Sequence, residues 1–407
     1  MTAGFCGLEL TSLADTSAEL LHTVVRLASG NKMAALPSCF GLSRFVRRKF
    51  PCARFKAAQT SRVSIEETHR RRPRYSGRNP RKFHEKYKEL NPERYAADVA
   101  KILETGKTPA GMHRPIMVEE ILEVLVPRAG EIAIDCTLGY GGHARALLER
   151  IQPGGKLIGL DVDPLELPRT EERVRAAGFG LETFVAHRSN FAGLLQVLAK
   201  EQVAGADMIL ADLGVSSMQL DNPVRGFTYK EPGPLDMRMN PARGEPASQF
   251  LAYITEAKLT RLLEENADEP HARVIALALK KQPIATTQAL CRVIREAIAV
   301  VRPHSPKEEM ETSVRRTFQA LRIAVNDEFS ALENFLRNLP QCLNPGGRIA
   351  VLTFHSGEDR RVKKAFQAGL REGVYSAIAD EVVRASAEEL RANPRAASAK
   401  LRWAVFR

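Results

Sequence analysis

Hydrophobic positions fall into two regimes along this chain. From Met1 to about Gly111 there is no clear strand pattern, and the one periodic stretch is Asn91 to Thr105. There Tyr95, Val99, Ile102 and Leu103 recur at helical spacing. Beyond it the pattern sharpens. Ile116 to Val126 reads as a helix with Ile121, Leu122 and Leu125 on one face. Short apolar runs then predict buried strands at Glu131–Asp135, Lys156–Asp161, Leu181–Ala186 and Asp207–Asp212. Helical stretches separate them at His143–Ile151, Leu165–Ala177 and Phe191–Glu201. Strands alternating with helices predict an α/β fold with a parallel sheet covered on both faces.

The alternation stops after Met239. Between about Pro241 and Ser313 the pattern is mainly helical: Phe250–Tyr253, Glu256–Asn266, His271–Lys281 and Thr287–Val300. A long helix is then expected at Val314–Leu339, a strand at Gly347–Phe354 and a last strand at Lys400–Phe406. The domain organisation expected is therefore an N-terminal extension (1–111), an α/β domain in two parts (112–240 and 314–407), and a helical insertion (241–313) that binds substrate.

Length and charge refine this picture. A chain of 407 residues, 44% of them hydrophobic, suffices for two or three domains. No apolar run approaches the roughly 18–20 residues that span a bilayer, so a soluble protein is expected. The net charge of +12 is concentrated: Arg44 to Lys88 holds 16 Lys and Arg against three acids, Glu66, Glu67 and Glu85, leaving the remainder near neutral. Such an arm can meet phosphates by releasing counterions, or it can be a solvated tail, and it is expected to be largely disordered. No acid occurs between Glu19 and Glu66. A mitochondrial transit peptide has that composition, and a start at Met33 or later accounts for it equally. The six cysteines are scattered without CxxC spacing, so neither a disulfide framework nor a zinc site is expected, and nothing implies another metal.

Three motifs carry chemistry. In Asp135-Cys-Thr-Leu-Gly-Tyr-Gly-Gly-His143 a strand ends in an acid, a glycine-rich turn follows and a helix begins. Glycines let a ligand approach the backbone, and ligands of open α/β sheets sit beyond the carboxyl ends of the strands. The spacing is not GxGxxG. Asp161 ends the next strand, where an acid accepts hydrogen bonds from ribose hydroxyls or caps the following helix. Together these fit an adenosine ligand without separating nicotinamide cofactors from S-adenosylmethionine. The third motif, Asp212-Leu-Gly-Val-Ser-Ser-Met-Gln219, ends the fourth strand. Methylating an exocyclic amine requires the nitrogen to be held in line, with an acceptor localising its lone pair. Asp212, Ser216 and Ser217 are the catalytic candidates.

At this point a resemblance becomes specific. The run Asp212 to Asp221, Arg225-Gly-Phe-Thr228 and Gly233-Pro-Leu-Asp-Met-Arg-Met239 resemble the bacterial small-subunit rRNA cytosine-N4-methyltransferases. So do His113-Arg-Pro-Ile-Met-Val118, Arg316 to Ile323, Phe354-His-Ser-Gly-Glu-Asp-Arg360, Asn393-Pro-Arg395 and Ser398 to Arg402. The resemblance covers about His113 to Arg407, with the arm before it outside. It implies a class I S-adenosylmethionine-dependent methyltransferase: Rossmann-like, with a mostly parallel seven-stranded sheet and an inserted helical domain. It also implies cofactor contacts from Gly141, Gly142, His143, Asp161, Phe191, Asp212 and Gln219. Asp236, Arg238, His355, Asp359 and Arg360 are candidates for substrate binding, with internal pairing as the alternative use of the same charges. Gly357 departs from the leucine usual in that family, Met218 from a common proline, and the stretch between Arg361 and Asn393 is short.

The reading is thus an enzyme that methylates the N4 amino group of a cytidine in small-subunit ribosomal RNA, with that RNA as its partner. No membrane or protein partner is expected, and a homodimer is left open. Two other readings stand beside it: an RNA-binding ribosome-assembly factor that retains a cofactor pocket, and a small-molecule methyltransferase. A bacterial cytoplasm is the expected location, with a mitochondrial matrix as the alternative.

Overall fold

The computed structural model describes residues 115–407, together with Arg94 and Tyr95, which lie in a helical turn. The rest of the Asn91–Thr105 helix and the basic arm lie outside the described residues.

Seven strands form one sheet: β1 (Ile132–Asp135), β2 (Lys156–Asp161), β3 (Phe184–Arg188), β4 (Ala206–Asp212), β5 (Leu343–Thr353), β6 (Tyr375–Ile378) and β7 (Lys400–Phe406). Their order is β3-β2-β1-β4-β5-β7-β6. The first five in that order run parallel, and β7 is antiparallel to both β5 and β6. The fold is therefore the mostly parallel, seven-stranded Rossmann-like sheet that was expected. Strand order reverses between β1 and β4, which opens a crevice at their carboxyl ends.

Side chains alternate faces along each strand, so one strand feeds two cores. Ala133, Leu157, Met208, Leu210, Ala350 and Leu352 enter one core, and Ile134, Ile158, Leu160, Ile209, Ala211, Ile349 and Val351 the other. Each fully buried Ile or Leu contributes about 1.5–3 kcal/mol. The first core is covered by α1 (Val118–Leu125), α2 (Gly142–Ile151) and α3 (Leu167–Ala176). The second is covered in part by α4 (Leu194–Lys200).

After β4 the chain makes a short helix, α5 (Ser217–Asp221), and then a helical layer. That layer comprises α6 (Ala247–Tyr253), α7 (Glu256–Ala267), α8 (Ala272–Leu279), α9 (Thr287–Val301) and α10 (Lys307–Asn326). Its core takes in Phe227, Leu235 and Met237 before residue 241 and Val314, Phe318 and Leu321 after residue 313. Then α11 (Glu328–Asn338) and α12 (Ser356–Arg371) complete the second face of the sheet, and α13 (Ala387–Ala392) precedes β7. Among the described residues no helix is long and apolar enough to cross a membrane.

Two local expectations differ from the structure, and one strand was not expected. The single helix expected over Val314–Leu339 is two, because Asp327 adopts a left-handed conformation (φ 50°) between α10 and α11. Aspartate tolerates that region better than most residues, and its carboxylate accepts a hydrogen bond from Ser330. The third strand starts at Phe184 rather than Leu181, since residues 181–183 form a turn. The strand β6 has no run long enough to be read from its four residues.

Gly357 has a physical reason. A Cβ there would lie 2.6 Å from Phe329 Cζ and 3.2 Å from His355 Nδ1. The Phe329 ring fills the space a leucine would need and carries the Arg361 guanidinium 3.5 Å above its centroid. Gly357→Leu should lower the unfolding free energy by about 1–3 kcal/mol. Phe329→Ala in the same chain should restore part of it. Urea denaturation of the two variants checks this, and an unchanged midpoint for Gly357→Leu alone would contradict the packing.

Candidate active site

The glycine turn between β1 and α2 is shaped by close packing. Gly141 has φ 84°, and a Cβ on it would come within 2.9 Å of Thr170 on α3. A Cβ on Gly142 would lie 2.8 Å from Pro115. The turn is fastened to the next strand as well: Asp161 accepts from the Gly139 and Asp163 backbone N–H groups, both at 2.8 Å. Beyond this turn lies a cavity of about 520 Å³. It is walled by the ends of β1, β2 and β4, by the loop into α5, by α10 and α11, and by the segment before β7.

Most of the expected site residues converge here. Gly142, His143, Asp161, Phe191, Asp212, Ser216, Ser217 and Gln219 all line the cavity. Gly141 sits just behind it as the residue before α2. Asp236, Arg238, His355, Asp359 and Arg360 do not line it. Each of these five has a local partner. Arg238 makes a two-pronged pair with Asp236 (2.8 and 2.7 Å). Asp359 accepts from Arg402 and Lys400 at 2.6 and 3.1 Å. Arg360 meets Asp268 at 3.4 Å on the surface. His355 begins α12, accepting from the Glu358 backbone N–H.

Three acids end neighbouring strands, Asp161 and Asp212 on the cavity wall and Asp135 buried behind it, and burial dominates their chemistry. It pushes Asp161 up to about 6 and Asp212 up to about 7, the latter with help from the nearby Glu358. Asp135 is also pushed up by burial, against the opposing pull of His143 and the Thr137 backbone N–H. Asp212 Oδ1 and Asp135 Oδ2 are buried without any hydrogen-bond partner. His143 Nε2 lies 2.9 Å from the Ile116 carbonyl, which requires a proton on that nitrogen. Its Nδ1 faces Asp212 Oδ2 at 3.7 Å. Cys136 lines the cavity as a thiol, and burial pushes its pKa far up, so it is poorly suited to act as a nucleophile.

The loop after β4 is held by a reciprocal cap. Ser216 Oγ accepts from the Gln219 backbone, and Gln219 Oε1 accepts from the Ser216 backbone. Gln219 Nε2 then donates to Asp163 at 2.8 Å. The Ser217 hydroxyl makes no hydrogen bond among the described residues. Phe191 follows β3 and meets Phe335 edge-on at 5.3 Å.

Several residues that line or brace the cavity were not apparent from the sequence. Asp163, 1% exposed, also receives Arg225 Nη1 at 2.7 Å, while Arg225 Nη2 donates to the carbonyls of Arg238 and Met239. Asn326 holds the same segment through Met237 O and the Met239 N–H. Arg322, Glu328 and Glu358 line the cavity too. The signal for Arg322 was present: it stands on the apolar stripe of α10, four residues after Phe318. Burial alone would raise Glu358, but His355 and Arg322 outweigh it and hold the carboxyl below its ordinary range.

With this geometry in view, the MraW methylase family profile matches residues 110–407. The chain belongs to that family. It is 49% identical over 345 residues to "Ribosomal RNA small subunit methyltransferase H 2" of Alkaliphilus metalliredigens, covering 84% of this chain and 98% of that protein. It is 47% identical over 348 residues to "Ribosomal RNA small subunit methyltransferase H 1" of Agathobacter rectalis, covering 84% and 99%. It is 43% identical over 310 residues to "Ribosomal RNA small subunit methyltransferase H" of an Anaeromyxobacter species, covering 71% and 96%. A share of 84% exceeds what residues 110–407 supply. The family match begins where the resemblance was expected to begin, near His113, while the likeness to the first two proteins runs further upstream.

Removing one partner from the Asp163–Arg225 pair strands a buried charge. Arg225→Leu should cost about 3–5 kcal/mol of stability, and Asp163→Asn in the same chain should recover much of it. Equilibrium denaturation decides this, and full stability of Arg225→Leu would show that the pair does not anchor the loop.

Proposed function

We propose that this chain methylates the N4 amino group of a specific cytidine in small-subunit ribosomal RNA, using S-adenosylmethionine. The observation that carries the reading is Asp212: a strand-end carboxyl on the wall of the same cavity as the glycine turn, with one oxygen buried without a partner and, among the described residues, no hydrogen-bond donor on the other. The names of the relatives supply the substrate class, and the resemblance of the motifs to cytosine-N4-methyltransferases supplies the atom.

The residues fit the cofactor. A glycine turn leaves backbone free for close approach, Asp161 keeps acceptor capacity beside its two backbone bonds, and Phe191 offers an apolar ring. Gly142, His143 and Gln219 complete that wall. S-adenosylmethionine, when bound, supplies an electrophilic methyl carbon on a positively charged sulfur.

The protein's own part is positioning and proton handling. The target base must leave its stack to reach a cavity of this depth. Its exocyclic amine is a weak nucleophile because the lone pair is delocalised into the ring. Asp212 accepts one N–H, which localises the lone pair on nitrogen and then takes up the proton that nitrogen loses. A carboxyl pushed up to about 7 suits that exchange at neutral pH. Behind it, His143 keeps its Nε2 proton on the Ile116 carbonyl and turns Nδ1 towards Asp212.

The direct test is incubation of the purified protein with labelled S-adenosylmethionine and small ribosomal subunits that lack the modification. Label in N4-methylcytidine, abolished by Asp212→Ala while cofactor still binds, is expected. Cofactor binding with no labelled base on any assembly intermediate would overturn the reading in favour of an assembly factor or a small-molecule enzyme.

A pH profile tests Asp212 separately. Because its pKa is raised, the carboxyl is mostly protonated at pH 6 and cannot accept the N–H. The single-turnover rate should therefore rise about tenfold from pH 6 to pH 8, with a midpoint near 7. A flat profile over that range would remove Asp212 as the acceptor.

A further inference from the structure

One part of the cavity wall takes no part in cofactor binding or proton handling. Arg322, on α10, reaches the cavity wall with its side chain only 16% exposed. Glu328 grips it on one side, accepting from Nε and Nη2, each at 2.8 Å. Glu358 lies 3.8 Å from Nη2. The grip depends on the bend at Asp327: the left-handed turn there lets Glu328 fold back onto Arg322 six residues earlier. Backbone in that region for a residue other than glycine is costly and persists where a site needs it.

What the grip leaves free is Nη1. Among the described residues it makes no hydrogen bond, and it points at the loop that follows Asp212. A Cβ built on Gly214 would lie 3.8 Å from Nη1, 4.0 Å from Nη2 and 4.0 Å from the Phe354 ring. Gly214 has φ 96°, so any larger residue there would be strained, and its Cβ would fill the space up to van der Waals contact with the guanidinium and the ring. A small space is thus kept open between a fixed guanidinium, an aromatic ring and the loop two residues beyond the orphaned Asp212 carboxyl.

We propose that Arg322 is the residue that selects cytosine, by donating Nη1–H to ring nitrogen N3 of the target base. This rests on the cytidine-methylation reading. Cytosine carries a donor at position 4 and an acceptor at N3. Asp212 faces the donor and Arg322 the acceptor. Uracil reverses both, with O4 against the carboxylate and N3–H against the guanidinium, and is rejected at two points. The bidentate grip by Glu328 fixes the planar fork, so that little orientation is lost when the base enters.

The test compares two substrates in two proteins. Small subunits are reconstituted with cytidine or with 3-deazacytidine at the nucleotide that the wild-type protein methylates. The analogue keeps the amine and replaces N3 by C–H. The quantity read is the ratio of single-turnover rates, cytidine over 3-deazacytidine. Arg322→Lys keeps the charge beside Glu328 but lacks the fork. That ratio should fall at least about tenfold from wild type to Arg322→Lys, the size expected for one charge-assisted hydrogen bond. S-adenosylhomocysteine affinity should stay within about threefold. An equal ratio in both proteins would overturn the proposal while leaving cytidine methylation intact. Glu328→Gln, which leaves the guanidinium in place but loosens it, guards against a misfolded lysine variant. It should lower the ratio by a smaller factor, and an unchanged ratio would count against the proposal. If the wild-type protein labels no cytidine at all, the functional reading fails and this inference falls with it.

Discussion

Three carboxyl groups stand close together at the ends of adjacent parallel strands, Asp135 fully buried and Asp161 and Asp212 half-buried on the cavity wall. Asp161 ends β2, Asp135 ends β1 and Asp212 ends β4, and the parallel ladders between those strands leave no freedom to separate them. Burying charge in this way opposes folding unless it is compensated. Asp161 is compensated by two backbone N–H groups, and Asp135 in part by His143 and Thr137. Asp212 is not: one oxygen has no partner and the other has only a histidine nitrogen at 3.7 Å. An unmet acceptor of this kind costs stability, and it is the group to which the proposed function assigns the chemistry.

The remaining architecture keeps that place rigid. Asp163, two residues past the end of β2, gathers Gln219 from α5 and Arg225 from the entry to the helical layer. Arg225 passes the restraint to Arg238 and Met239, and Asn326 grips Met237 and Met239 from α10. The cofactor side of the cavity, the loop after Asp212 and the root of the helical layer are therefore one hydrogen-bonded unit. On the proposed function, a substrate held by the helical layer would be presented to Asp212 through these few contacts. Proximity effects of this kind tolerate little slack.

Much of this was legible in the sequence, and the reasons are specific. Apolar runs ending in Asp135, Asp161 and Asp212 located three strand ends, because a buried strand that stops at an acid has few other meanings beside a glycine turn. The helical layer was visible where alternation ceased. Contacts distant in sequence were not legible. Nothing local shows that Arg225 reaches Asp163, or that Glu328 folds back onto Arg322. The bend at Asp327 was hidden because apolar spacing continues across it. Charges that looked available, such as Asp236 with Arg238 or Asp359 with Arg402, neutralise each other at short range. A sequence shows a charge but not its partner. Gly357 reads as a departure from a family pattern and becomes intelligible only against the Phe329 ring.

The central claim is that Asp212 is an uncompensated carboxyl whose proton affinity is set by burial. Carbon-13 NMR of protein labelled at aspartate carboxyls, with the resonance assigned by its loss in Asp212→Asn, reads that affinity directly. A titration midpoint near 7 is predicted. A midpoint at the ordinary aspartate value of about 3.9 would mean that the carboxyl is solvated or paired, and would contradict the account of the site built on it.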